Sequence, residues 1–283
     1  MGFRLANVDG RAVLVDGEHY HDLEAASRSA IDSDPMTALA RLAAVAEVAA
    51  GLSDRQPTGA LSDVVLGPPV PQPQKSFGIG LNYGNHAAES NMEVPENPVV
   101  FTKFPSCLCG PTADVELRSN ACDYEGELMV VIGPGGKDID EADAWSHVAG
   151  LMVGQDISDR KAQFMAKPPQ FALGKSFDTF GPTGPWLTSL DLVDDPSDLA
   201  IEVAVNGEIR QADRTANLIF DVPTLIARLS RIMTLTTGDL LFTGTPAGVG
   251  AASGTFLADG DVITTTIEGL GTMTNRCVRI SDH

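Results

Sequence analysis

Short apolar runs punctuated by turn residues dominate the chain from residue 75 onward: SFGIGL, NPVVFTKF, GELMVVIG, HVAGLMVGQDI, AIEVAVNG, DLLFTGT and DVITTTIEG, most of them bounded by Gly, Pro, Asn or Asp. Runs of this length with such boundaries predict strands. Upstream, residues 3–23 alternate apolar and polar positions around Asp9-Gly10 and Asp16-Gly17, a hairpin signature. TALARLAAVAEVAAGL follows with amphipathic spacing and predicts a helix ending near Gly51. Later helical spacing is confined chiefly to the start of EADAWSHVAG and to VPTLIARLSRIMT, residues 222–234. Many strands and few helices predict an α+β chain, mainly β: a β core decorated by helices, not a βαβ array. GPPVPQPQ, residues 67–74, packs four of the 18 prolines into eight positions and reads as a semi-rigid linker. The expected division is a small N-terminal domain over residues 1–70 and a main domain over residues 71–283.

Charge narrows the partners. The balance is 19 − 38 = −19, which argues against nucleic acid and against an anionic membrane surface. An anionic substrate would therefore need a local positive field at its site. Cys107, Cys109, Cys122 and Cys277 have no C-x-x-C spacing and read as small buried hydrophobes in a reducing compartment. MGFRLANVDG lacks an apolar signal core, Ala6 breaks the myristoylation pattern, and the run over residues 37–52 is too short to span a bilayer. The expected location is cytoplasmic.

The chemistry begins at DYEGELMVV. Glu125 and Glu127 lie two apart, so on a strand they share a face about 7 Å apart along the chain. Bare, they repel by about 2 kcal/mol at an effective dielectric of ~20. A solvent-facing strand edge is one reading. The unbroken apolar run from Leu128 to Ile132, which argues that both faces are covered, gives equal standing to another, in which a hard divalent cation offsets the pair. Two carboxylates rarely suffice, and Asp156 in VGQDISDRKAQ is the candidate third. It reads equally as a helix cap paired with Arg160, unless Asp159 is the cap. Asp156, Arg160 and Gln163 have the spacing of one helix face.

Arg160, Lys161, Lys167 and Lys175 put four of 19 cations into 16 residues. They read as a solvated face, but Lys175 sits among apolar and turn residues in FALGKSFDTFGPTGPW, where a partly buried lysine could bind a carboxylate or stabilise an enolate oxygen. In GLNYGNHAAESN, Asn85 is placed to cap a short helix carrying His86 and Glu89 at i and i+3. His86 is either structural or, with Glu89 fixing its tautomer, a general base for water. GIGLNYG lacks the third glycine of a dinucleotide fingerprint, TGTPAGVG lacks a phosphate-loop lysine, and no G-x-S-x-G occurs.

Taken in order, GLNYGNHAAE, PVVFTKFPSCLCGP, DYEGELMVVIG, GQDISDRKAQ, FALGKSFDTFGPTGPW, VNGEIRQ, LTTGDLLFTGTPAGVG and IEGLGTMTNRCV resemble the fumarylacetoacetate hydrolase family across residues ~72–280. The resemblance implies a mixed β-sandwich roll as catalytic domain, a small N-terminal α/β domain, and a homodimer. It implies Mg²⁺ or Mn²⁺ on Glu125, Glu127 and Asp156, and His86, Glu89 and Lys175 as catalytic residues. Arg160, Gln163 and Thr245, with Lys103 and Asn82, match substrate-contacting positions. The implied activity is metal-dependent hydrolysis of a C–C bond in a small anionic 2,4-dioxo acid, an acylpyruvate or fumarylpyruvate, through an enolate that the metal stabilises. Oxaloacetate decarboxylation and isomerisation or tautomerisation of an oxo-diacid use the same enolate and stand second; a catalytically silent ligand-binding protein stands last. GQDISDRK departs from the family's usual NDVTARD at Asp159 and Lys161, which puts substrate preference in doubt.

Overall fold

The computed structural model describes residues 2–53, 55–90 and 92–280. Among these, a central sheet of twelve strands runs from Gly59–Ala60 through His19–Asp22, Arg11–Asp16, Arg4–Val8, Gly181–Thr188, Val148–Gln155, Gly126–Ile132, Leu240–Phe242 and Ser76–Gly80 to Val99–Thr102, with two short strands off this path. A five-stranded sheet orders Glu208–Arg214, Ala200–Val205, Val262–Ile267, Gly271–Arg279 and Val115–Leu117. The strand-dominated architecture is the expected one.

The strand Gly126–Ile132 is buried at every position. Leu128, Val130 and Ile132 face a core with Leu225, Ile226 and Leu229 of the helix Val222–Ile232, while Met129 and Val131 face a second core. Both faces are covered, which is why the apolar run is unbroken where a half-exposed strand would alternate. The helix behaves as its spacing predicts. Asp221 accepts from the Thr224 N–H at 2.9 Å, Pro223 occupies the first turn, and Val222, Leu225, Ile226 and Leu229 make the buried face.

Two sequence expectations need correction. The helix over residues 37–52 is two helices, Pro35–Leu39 and Leu42–Ala50. Arg41 breaks it: its N–H turns back to the Ala38 carbonyl at 2.9 Å, and its guanidinium reaches the Ala30 carbonyl at 2.6 Å. Gly181–Thr188, outside the apolar runs from which strands are predicted, is also a strand, and its register against Val148–Gln155 slips between Leu151 and Val153, beside Pro185. Asn85 is not a cap, since the helix Gly84–Glu89 has Tyr83 at its N-cap position and Asn85 lies inside the first turn.

The first seventy residues join the rest directly. Arg4–Val8 pairs antiparallel with Gly181–Thr188, and Leu5, Leu14 and Leu23 share a core with Met129, Met152 and Phe242. That core lies under the strand which leads to Glu127.

Candidate active site

Strand pairing assembles the acids. Gly126 is in register with Gln155, and the Asp156 N–H donates to the Glu125 carbonyl at 2.8 Å, so the third acid emerges beside the first. Glu125, Glu127 and Asp156 are all buried, each with a carboxylate oxygen within 4.8 Å of the others'. Asp159, not Asp156, caps the helix Arg160–Gln163 by accepting from the Ala162 N–H at 3.0 Å. The alternative that paired Asp156 with Arg160 along one helix face is corrected by this: the helix is four residues long, and Asp156 precedes it.

Acids and bases alternate in single file through the site. Asp123 accepts from Arg160 Nη2 at 2.7 Å, and Arg160 Nη2 reaches Glu125 at 2.6 Å. Lys175 Nζ bridges Glu125 and Asp156, both at 2.6 Å, and Lys103 Nζ bonds the other Asp156 oxygen at 2.6 Å. The file ends on backbone at both sides. Asp123 accepts from the Gly250 and Ala251 N–H groups at 2.7 and 2.9 Å, and Lys103 donates to the Lys175 and Phe180 carbonyls. Three carboxylates meet three cations, so the file is neutral. Although burial pushes the Glu125 carboxyl up, Lys175 and Arg160 hold it well below the usual range.

Glu127 stands outside the file. Burial, with Asp156 and Glu125 nearby, raises its carboxyl well above the usual range, even though the Gly244 N–H donates to it at 2.7 Å. These residues fit a hard divalent cation: the donors are all oxygen, convergent and shielded from water, and the crowding that forces a proton onto Glu127 is what a cation would relieve. Metal affinity should accordingly rise with pH by up to about tenfold per unit while Glu127 titrates, with one proton released per ion. Calorimetry of Mn²⁺ binding in two buffers of different ionisation enthalpy reads that proton; heats independent of buffer would refute it.

The other half of the site is the helix Gly84–Glu89. His86 Nδ1 lies 2.8 Å from Glu89 Oε1, and Glu89 Oε2 accepts from the Gly248 N–H at 2.9 Å. Burial pushes Glu89 up, but the bonds from His86 and Gly248 outweigh it and the carboxyl is lowered. An ionised Glu89 accepts the Nδ1 proton and leaves Nε2 of a neutral His86 with its lone pair free, the form a general base requires.

TGTPAGVG, without a phosphate-loop lysine, serves carboxylates instead: its Gly244 N–H holds Glu127 and its Gly248 N–H holds Glu89. Gly248 has φ of 107°, and a Cβ there would sit 1.9 Å from the Arg210 carbonyl oxygen. Gly248→Ala should therefore cost about 2–3 kcal/mol and dislodge Glu89; an unchanged urea midpoint would contradict this.

The remaining expected residues divide. Gln163 is buried, and its Oε1 accepts from Arg160 Nη1 at 3.0 Å. Lys103 and Lys175 are within the charge file. Thr245 donates to the Gly126 carbonyl at 2.9 Å, beside the acids. Asn82 is not brought to the acids with a free amide. Its Nδ2 donates to the Phe220 and Thr243 carbonyls, and its Oδ1 accepts from the Phe220 N–H, so it ties loops together. Two participants escaped the sequence reading. Asp123, which anchors Arg160, was legible as the first acid of an alternating D-x-E-x-E. Gln211, which binds the Gly126 N–H at 3.0 Å, carried no signal beyond its place in VNGEIRQ.

Residues 75–278 match the family model described as fumarylacetoacetate (FAA) hydrolase C-terminal. The chain belongs to the fumarylacetoacetate hydrolase family. Within it, the chain is 43% identical over 221 residues to the human mitochondrial oxaloacetate tautomerase FAHD2A, covering 77% of this chain and 70% of that protein. A solved Mycobacterium smegmatis protein, provisionally named HpcE, superposes with TM-score 0.93 at 43% identity over 98% of this chain and 100% of that one. Maleylpyruvate hydrolase from Sphingobium sp. SYK-6, solved with manganese(II) and pyruvate, superposes with TM-score 0.84 at 31% identity, covering 98% and 100%. Members of this fumarylacetoacetate hydrolase family thus carry names of hydrolases, isomerases and tautomerases. No helix among the described residues is long and apolar enough to cross a membrane.

Proposed function

We propose that the protein is a divalent-metal-dependent enzyme that hydrolyses a C–C bond in a small 2,4-dioxo acid of the acylpyruvate or fumarylpyruvate type. The observation that carries this reading is the His86–Glu89 pair at 2.8 Å, backed by the Gly248 N–H from the same loop whose Gly244 N–H holds Glu127. A base so held is superfluous where only an electron sink is needed. Mg²⁺ or Mn²⁺ on Glu125, Glu127 and Asp156 would bind adjacent substrate oxygens and stabilise negative charge on the 2-oxygen.

The chain's own residues supply the rest. His86 Nε2 takes a proton from water, and the hydroxide adds to the distal carbonyl carbon. The bond between that carbon and C3 then breaks, its electron pair passing toward the 2-oxygen. The imidazolium returns its proton to C3, giving a 2-oxo acid and a free carboxylic acid. Lys175, Lys103 and Arg160 offset Asp123, Glu125 and Asp156, so that a bound divalent cation would be left to supply the positive field an anionic substrate needs against a net charge of −19.

A second reading, tautomerisation of oxaloacetate, is favoured by the name of the 43% identical human relative. Here His86 would take the proton from C3 itself. Oxaloacetate decarboxylation and a silent ligand-binding role rank below both. A homodimer in the cytoplasm belongs to the same proposal. Exposed Phe104, Phe164, Met165 and Leu173, on segments flanking the site, are the surface a partner copy would cover.

The test is a panel of acylpyruvates and oxaloacetate with added Mn²⁺ or Mg²⁺, following pyruvate release and the enol absorbance separately. Pyruvate from acylpyruvates, abolished by EDTA, supports hydrolysis. Enol decay alone moves the assignment to tautomerase, and activity unaffected by EDTA overturns both.

A further inference from the structure

We infer that the strand Glu208–Arg214 is a strut that fixes the separation between the carboxylate cluster and the His86–Glu89 dyad, with Gln211 and Asp213 as positioning residues at its two points of contact. The inference rests on the proposed function, because it assigns the two halves of the site their roles.

Gln211 holds the first half. It is 1% exposed, and its Oε1 accepts from the Gly126 N–H at 3.0 Å. Its Nε2 donates to Thr245 Oγ1 at 2.8 Å and to the Pro246 carbonyl at 2.7 Å, while Thr245 Oγ1 donates to the Gly126 carbonyl at 2.9 Å. The peptide between Glu125 and Glu127 is therefore gripped on its N–H and carbonyl sides. Val203, paired with Gln211 on the neighbouring strand, closes the space beside it: a Cβ at Gly126 would lie 2.2 Å from Val203 Cγ2. Rotation of that peptide would swing both carboxylates, and the grip prevents it.

Asp213 holds the second half. Two residues along the strand it shares Gln211's face, about 7 Å away. Its Oδ2 accepts from Asn85 Nδ2 at 2.5 Å, and Asn85 Oδ1 in turn accepts from the His86 N–H at 2.8 Å. Its Oδ1 is steadied by Asn217 Nδ2 at 2.6 Å. Beside them the Arg210 carbonyl abuts Gly248, whose N–H holds Glu89. One short strand thus touches the acid-bearing peptide, the imidazole-bearing helix and the loop that binds Glu89. A strand has fixed rise and little give, so it suits this task better than a loop. An error of about 1 Å between base and reacting carbon costs on the order of 10²-fold in rate.

The two contacts should separate experimentally. Gln211→Met should weaken Mn²⁺ binding by about tenfold and leave the His86 imidazole ¹⁵N shifts of the metal-free protein in place. Asp213→Asn should move those shifts, as Asn85 loses a charged acceptor, and leave Mn²⁺ affinity within about twofold. If Gln211→Met fails to fold, Gln211→Asn, which keeps the amide but falls one methylene short, gives the same reading. Parallel losses of both readouts that track the fall in Tm, or no change in either, overturn the strut while leaving the proposed function standing. A wild-type protein that binds no Mn²⁺ overturns the proposed function and the strut together.

Discussion

Glu125→Gln should bind Mn²⁺ on the order of 10³-fold more weakly than wild type and lose turnover with it, because the substitution removes a charged ligand and unbalances the buried file. Arg160 and Lys175 each sit 2.6 Å from Glu125, and a neutral amide leaves both short of a counter-charge in a region shielded from water. Leaving buried charge uncompensated costs about 3–5 kcal/mol, so the metal-free variant should also melt well below wild type. Glu127→Gln is the informative contrast. Burial and its acidic neighbours raise the Glu127 carboxyl well above the usual range, so the amide should bind metal poorly yet leave metal-free stability nearly unchanged. Metal content and thermal melts with and without Mn²⁺ check both variants. Equal melting losses at the two positions would mean that the file is not what balances the site, and full turnover after exhaustive chelation would remove the metal altogether.

His86→Gln should lower acylpyruvate hydrolysis by about 10²–10⁴-fold, the usual contribution of a positioned general base, while leaving Mn²⁺ affinity near wild type. The imidazole is not among the three clustered acids, and its Nδ1 is committed to Glu89. Any oxaloacetate decarboxylation should survive, since that reaction needs no activated water. Assaying both reactions on one preparation separates the two chemistries. Unimpaired hydrolysis in this variant would dismiss the dyad.

The local pattern carried further into the structure than pairing or saturation did. The apolar runs marked the strands because burial on both faces leaves a continuous signature, and the spacing of VPTLIARLSRIMT marked the helix Val222–Ile232. Glu125 and Glu127 were legible as a same-face pair, since strand periodicity is local. What joins them to Asp156, Lys103 and Lys175 is register between distant strands, which no short window contains; family resemblance supplied that step. Asn82 shows the reverse limit. Its place in the motif drew attention to the pocket, but its amide is spent on the Phe220 and Thr243 backbone. Gly181–Thr188 carries two prolines that mask its strand character in the sequence; Pro185 sits beside the slip in register, and Pro182 lies opposite Cys109 in a short parallel pairing.

Because Arg4–Val8 supplies the neighbour of Gly181–Thr188, and Leu5, Leu14 and Leu23 shield the underside of Met129 and Phe242, the opening segment is not a detachable appendage. Severing the chain in the proline-rich stretch would bare unpaired amides and carbonyls along that edge and expose an oily floor beside the clustered acids. Variation among the first seventy positions can therefore reach the chemistry through packing, and exchanging them between relatives would demand matching changes in the strands they cover.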